Sequence, residues 1–132
     1  MTDTRRERLF RELHAVVVPV RDLARARAWY EGVLELVPRR VEGTFLAVYG
    51  TGGSTHVCLY VPAPGAERPA TDDQGAFPNW RTDDIEATRA RLVERGVSCT
   101  PIQGGGGVSF FTFRDPDGNR HDVCAFGSDW LP

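Results

Sequence analysis

"DPDGNRHDVC" (residues 115–124) is the stretch on which the fold is decided. Pro116 fixes its own φ and Gly118 accepts a backbone geometry that a β-carbon resists, so Asp115-Pro116-Asp117-Gly118 reads as a tight β-turn. The residues that follow alternate as a strand. Asp122 and Cys124 fall on one face, and His121 falls on the other, toward solvent or the layer behind the sheet. That strand is either one wall of a metal site or the last strand of a small fold.

Working outward, the sequence predicts strands at about 97–102, 108–113 and 120–126, with "GGGG" (104–107) as a loop between the first two. That loop lacks the Lys-Ser/Thr of a phosphate-binding loop and reads as a flap over a binding space. "IEATRARLVERG" (85–96) is a short amphipathic helix closed by Gly96. Asp83, with Glu86 three residues on, has a capping-box pattern, and Asp84 is the counterpart of an earlier cap, Asp22. "AFPNWRT" (76–82) opens this half as a strand interrupted by Pro78.

The same pattern occurs earlier in the chain. "LHAVVVPV" (13–20) is β-branched and apolar, with Pro19 favouring a sheet edge. Asp22 caps a helix carrying Leu23, Ala26, Tyr30 and Leu34 near helical spacing. "TFLAVYG" (44–50) and "THVCLYV" (55–61) are strands joined through Gly52-Gly53. "PAPGAERPATDDQG" (62–75) is a Pro/Gly/acid-rich linker. The expectation is α+β: two paired βαβββ modules, about 12–61 and 76–126, in one domain over 12–126. A curved sheet around a cup would result, because neither half covers both faces of its own sheet.

Composition excludes several classes. With 132 residues, 41% hydrophobic and 26% charged, the chain supports one core, and its net charge of −2 argues against nucleic acid or an anionic membrane surface as partner. Three cysteines without a CxxC pair argue against a disulfide scaffold or a structural zinc knot. No signal peptide and no apolar run of about 18 residues is read, so a cytoplasmic protein is expected.

"VVVPVRDLARARAWYEGVLEL" (16–36) and "FFTFRDPDGNRHDVC" (110–124) resemble the opening and closing motifs of the vicinal-oxygen-chelate superfamily, which includes glyoxalase I, bleomycin-resistance proteins and extradiol dioxygenases. The resemblance implies paired βαβββ modules, commonly in a homodimer that can exchange modules between chains. In many members it implies one divalent metal in the cup. The family's metal-ligand positions fall on Ala15, near Cys58, on Phe77 and on Asp122; Asp122 alone keeps a metal-binding side chain at its expected place. A site built otherwise would use Asp122 with His14, His56 or Cys58. His56, Cys58 and Tyr60 share a strand face, whereas His14 reaches the cup only if a bulge at Pro19 re-registers its strand.

Without a metal, the cup becomes an organic pocket. Phe77, Asn79 and Arg81 share one face, and His56, Cys58, Tyr60 and Asp122 are expected to line the same space. Asp122 would pair with Arg81, accept a hydrogen bond from a ligand, or, if desolvated alone, act in proton transfer. The expected function is metal-independent, cofactor-free binding of a small drug or metabolite, bleomycin-resistance-like. The alternative is a glyoxalase-like lyase, isomerase or dioxygenase using a divalent metal or Asp122.

Overall fold

Burial alternates along the strands at 46–50 and 56–60 and along the second half of 108–114, and so fixes which face of each sheet meets a helix. The structure is a computed structural model and describes residues 8–66, 75–105 and 107–127. The elements run β1 (Ala15–Pro19), α1 (Leu23–Gly32), β2 (Pro38–Glu42), β3 (Leu46–Gly50), β4 (His56–Tyr60), β5 (Asn79–Arg81), α2 (Ile85–Glu94), β6 (Gln103–Gly105), β7 (Val108–Arg114) and β8 (Arg120–Phe126). They form two four-stranded sheets of the same order, β1-β4-β3-β2 and β5-β8-β7-β6. In each, the first strand pairs in parallel with the last and the other pairs are antiparallel. The α+β class and the two βαβββ modules are those read from the sequence.

Several details differ from the sequence reading. The N-cap of α2 is Asp84, whose carboxylate accepts the amide of Ala87 at 3.0 Å; Asp83 lies one residue too early to reach it. Asp22 caps α1 in the same way, through the amide of Arg25 at 3.1 Å. Residues 97–102 contribute only an isolated bridge, Cys99 to Phe113. The strand itself falls on 103–105, running from Gln103 into the glycine run expected to be a loop. Gly104 permits this pairing, since a β-carbon there would meet the Val108 carbonyl at 2.5 Å. β2, "PRRVE", has no apolar alternation and pairs on one side only, as an edge strand. Much of the expected linker, and the GGGG residue Gly106, lie outside the described residues.

Val18, Val20, Ala47, Tyr49, Val57 and Leu59 meet Leu23, Ala26 and Tyr30 of α1 in one core. Phe111, Phe113 and Val123 meet Ile85 and Leu92 of α2 in a second. Trp29, Leu34 and Trp80 pack against both, so α1 and the helix-covered side of the second sheet share apolar material. No helix among the described residues is long and apolar enough to cross a membrane.

A buried polar chain runs through this junction. The Trp80 indole N–H donates to His121 Nδ1 at 3.0 Å, and indole nitrogen can only donate. Nδ1 is therefore the bare nitrogen and Nε2 carries the proton. Nε2–H donates to the Tyr30 oxygen at 2.8 Å, and the Tyr30 hydroxyl donates to Asp115 Oδ2 at 2.6 Å. Asp115 also closes its own turn, accepting the amides of Asp117 and Asn119 on Oδ1. The Asn119 side-chain amide donates to Asp115 and to the Pro19 carbonyl at the end of β1. Tyr30, Asn119 and His121 are each fully buried. His121 is thus behind the sheet, stacked 5.0 Å from the Phe113 ring.

Two outcomes follow from this chain. Tyr30→Phe should cost about 2 kcal/mol in urea unfolding, because it strips a partner from both Asp115 and His121 in a dry site. Burial pushes the His121 pKa down to about 3 from 6.5, and nearby Asp122 only partly opposes it. The unfolded chain then binds the extra proton first. Stability is full above pH 6.5 and falls as pH drops toward 3, by about 2 kcal/mol between pH 7 and pH 5. His121→Phe should lose this component of the slope; a slope unchanged in that variant would refute the assignment.

Candidate functional site

The sheet faces turned away from the helices carry the residues expected to bind a ligand. On the first sheet, the register Ala15–His56, Val17–Cys58 and Pro19–Tyr60 puts those six on one face, with Val48 beside Cys58 and Leu46 beside Tyr60. The face is mostly apolar, and Val17 is more than half exposed. Burial raises the Cys58 thiol above its ordinary pKa, which disfavours the thiolate needed for nucleophilic attack or metal ligation. All three cysteines are free thiols. His14 stands just ahead of β1 and lies 4.9 Å, ring to ring, from His56, whose Nδ1 is 3.1 Å from the His14 carbonyl oxygen.

The second sheet carries a more closely built group. Asp122 does not pair with Arg81. The register aligns Asn79 with Asp122 and places Arg81 one pair further on, beside Cys124. There the Arg81 guanidinium lies 4.3 Å over the Phe126 ring and approaches the Phe126 carbonyl oxygen at 3.5 Å. Asp122 is held instead by Arg120. Nε donates to Oδ1 at 2.9 Å and Nη2 to Oδ2 at 3.1 Å, while the Thr112 hydroxyl donates to Oδ1 at 2.7 Å. The other side of the same guanidinium covers the Phe77 ring at 4.2 Å. Phe77, Arg120, Asp122 and Thr112 therefore form a layered unit, and both carboxylate oxygens are engaged.

The structure brings Phe77 and Asp122 together through Arg120, and His14 together with His56. No hydrogen bond, ion pair or ring contact joins His56, Cys58 or Tyr60 to Phe77, Asn79 or Asp122. Among the described residues, no group of three or more His, Cys, Asp or Glu side chains is placed to hold a metal ion. The sequence reading missed Arg120 and Thr112. The signal for Arg120 was available, since the alternation that sets Cys124 beside Asp122 sets Arg120 there too. Thr112 needed the β7–β8 register, which pairs it directly with Asp122.

The sequence profile of the Glyoxalase/Bleomycin resistance protein/Dioxygenase superfamily matches residues 12–123. The chain belongs to that superfamily. A search of curated proteins finds no match. Among solved structures, the chain is similar to TnmS3, an antibiotic binding protein from Streptomyces sp. CB03234, with a TM-score of 0.77 and 22% identity, covering 92% of this chain and 100% of that one. It is also similar to a glyoxalase/bleomycin resistance protein from Streptomyces sp. CB03234, with a TM-score of 0.69 and 26% identity over 85% and 98% of the two chains. A glyoxalase family protein from Enterococcus faecalis aligns with a TM-score of 0.73 and 19% identity over 89% and 99%.

The divalent metal that the superfamily implies does not fit the residues here. Ala15 and Phe77 offer no donor atom at two of the four expected ligand positions. At the fourth, the Asp122 carboxylate is already neutralised by a guanidinium. A divalent cation would have to displace that charge and then find oxygen, nitrogen or sulfur partners that the neighbouring ring cannot supply. Arg120→Ala should cost about 2–3 kcal/mol in chemical unfolding, because it leaves a mostly buried carboxylate without its cation. The Arg120→Ala/Asp122→Ala double variant should be more stable than Arg120→Ala alone, a non-additivity that a double-mutant cycle reads directly.

Proposed function

We propose that this protein binds a small drug or metabolite without a metal or other cofactor, as bleomycin-resistance-like members do, and that it works as a cytoplasmic homodimer. The observation that carries this reading is the Phe77–Arg120–Asp122 unit. It sets an aromatic ring and a fixed guanidinium where a metal centre would need ligands. A ring, a guanidinium and a carboxylate with one amide neighbour, Asn79, suit a planar ligand bearing a few directional polar groups. Similarity to an antibiotic binding protein of the same fold supports the ligand class.

The homodimer reading rests on exposed apolar surface. Val17, on the face with His56, Cys58 and Tyr60, is 53% exposed, and Leu13 just ahead of β1 is 67% exposed. A second copy facing this surface would bury it and bring His56, Cys58 and Tyr60 of one protomer opposite Phe77, Asn79, Arg81 and Asp122 of the other. The cup would then be closed by two chains.

Calorimetric titration with bleomycin and a panel of planar aromatic antibiotics, alongside sedimentation velocity and elemental analysis, tests the reading. Expected are a dimer, saturable binding of at least one compound that chelator does not alter, and about tenfold weaker binding in Phe77→Ala and in Tyr60→Ala. Near-stoichiometric metal that is lost together with binding in Asp122→Ala would overturn it.

A further inference from the structure

Beneath the second sheet, on the side opposite Asp122, lies a cavity of about 210 Å³. It is bounded by α2, the segment 33–36 that follows α1, and the helix-covered face of the sheet. Its body is apolar, built by Leu34, Leu36, Trp80, Leu92, Phe113 and Val123. A cavity of about 150 Å³ holds a benzene molecule, so this one has room for a single ring with a short substituent.

The rim carries charge in an unusual arrangement. Glu35 is the non-glycine residue with positive φ, at 60°, among the described residues. Left-handed backbone at a glutamate is strained, and here it closes the end of α1, where the Leu36 amide donates to the Tyr30 carbonyl at 3.2 Å; side-chain contacts add to this. Arg91 Nη2 donates to both Glu35 carboxylate oxygens, at 3.1 and 3.0 Å, and Arg95 Nη2 donates to Oε2 at 2.6 Å. Arg95 Nη1 also donates to the Val33 carbonyl at 2.6 Å. Two guanidinium groups thus share one carboxylate at the mouth of an apolar cavity, leaving one positive charge over. The Glu35 side chain is 55% exposed, so its ion pairs are of the solvent-screened kind that a competing anion can displace.

We propose that this cavity is a second small-molecule site, specific for a small aromatic monocarboxylate whose carboxylate replaces that of Glu35 on Arg91 and Arg95 while its ring enters the space beside Trp80. The bound acid supplies what Glu35 supplies, an anion for two guanidinium groups, and adds a ring that leaves water. Released, the Glu35 side chain moves into solvent, while the Leu36 amide still holds the turn through the Tyr30 carbonyl. The site lies across the sheet from the Phe77–Arg120–Asp122 unit and does not depend on the function proposed for that unit.

Phenylacetate is a suitable probe, followed through the Trp80 indole N–H and the 33–36 and α2 amide resonances. Saturable shifts at these positions are expected, with the uncharged phenylacetamide binding more weakly. Glu35→Gln removes the internal competitor and should tighten phenylacetate binding about threefold to fivefold, the factor an exposed ion pair is worth. Arg91→Gln should weaken it by a similar factor, and Phe77→Ala should leave it unchanged. Binding that is unaltered or weaker in Glu35→Gln, shifts that map to the open faces of the sheets, or no shift at tens of millimolar phenylacetate would each overturn the proposal.

Discussion

The hydrogen-bonded chain from Trp80 through His121 and Tyr30 to Asp115 is the constraint on which the rest of the structure depends. It crosses the boundary between the modules, linking β5, β8, α1 and the turn at 115–118. Asn119 extends it to the end of β1 through the Pro19 carbonyl. Apolar packing alone would let α1 slide against the second sheet at little cost, because dispersion is not directional. A buried donor that loses its acceptor pays for its desolvation, so a fully satisfied chain permits one arrangement. Among the described residues, no buried side-chain nitrogen or oxygen lacks a partner. The tight turn that opens the last strand is therefore more than a connection, since its first aspartate anchors a tyrosine from the other module.

Fixing α1 against the second sheet commits the faces of that sheet to different chemistry. On the helix side stand His121, Trp80, Phe113 and Val123, which are buried or half-buried and leave an apolar cavity near the 33–36 segment. On the open side stand Asp122, Arg120 and Thr112, a charged group with its charges already paired. Neighbouring positions on one strand, His121 and Asp122, thereby serve separate purposes. His121 is kept neutral by burial and by the indole donor on Nδ1, while Asp122 keeps its guanidinium.

A guanidinium differs from a divalent cation in ways that bear on chemistry. It carries one charge spread over a plane, makes hydrogen bonds only in that plane, and offers no empty coordination position. Stacked on Phe77 and forked onto Asp122, Arg120 has both a face and an edge occupied. Such a unit offers a stacked plane and a hydrogen-bonding edge rather than an open coordination position.

Much of the architecture was legible in the sequence because it rests on local rules. The Asp-Pro-Asp-Gly turn, the cap at Asp22, the alternation of the strands and the repeat of one βαβββ pattern depend on backbone preferences of a few adjacent residues. Alternation also assigned His121 to the face away from Asp122. The elements it blurred were those whose preference is weak: β2, polar on both faces, and β6, whose pairing is allowed by the missing β-carbon at Gly104. Parity names a face, but it does not choose partners on that face. That Asp122 takes Arg120 and Thr112 follows from a register set by distant strands, and Arg81 is carried one pair away to Phe126 by the same register. Likewise the strained Glu35 and its two arginines meet only when α2 packs beside the end of α1. The sequence determined the modules and the faces of their strands, through interactions between near neighbours. Tertiary structure alone decided which charges meet, because those meetings join residues far apart in the chain.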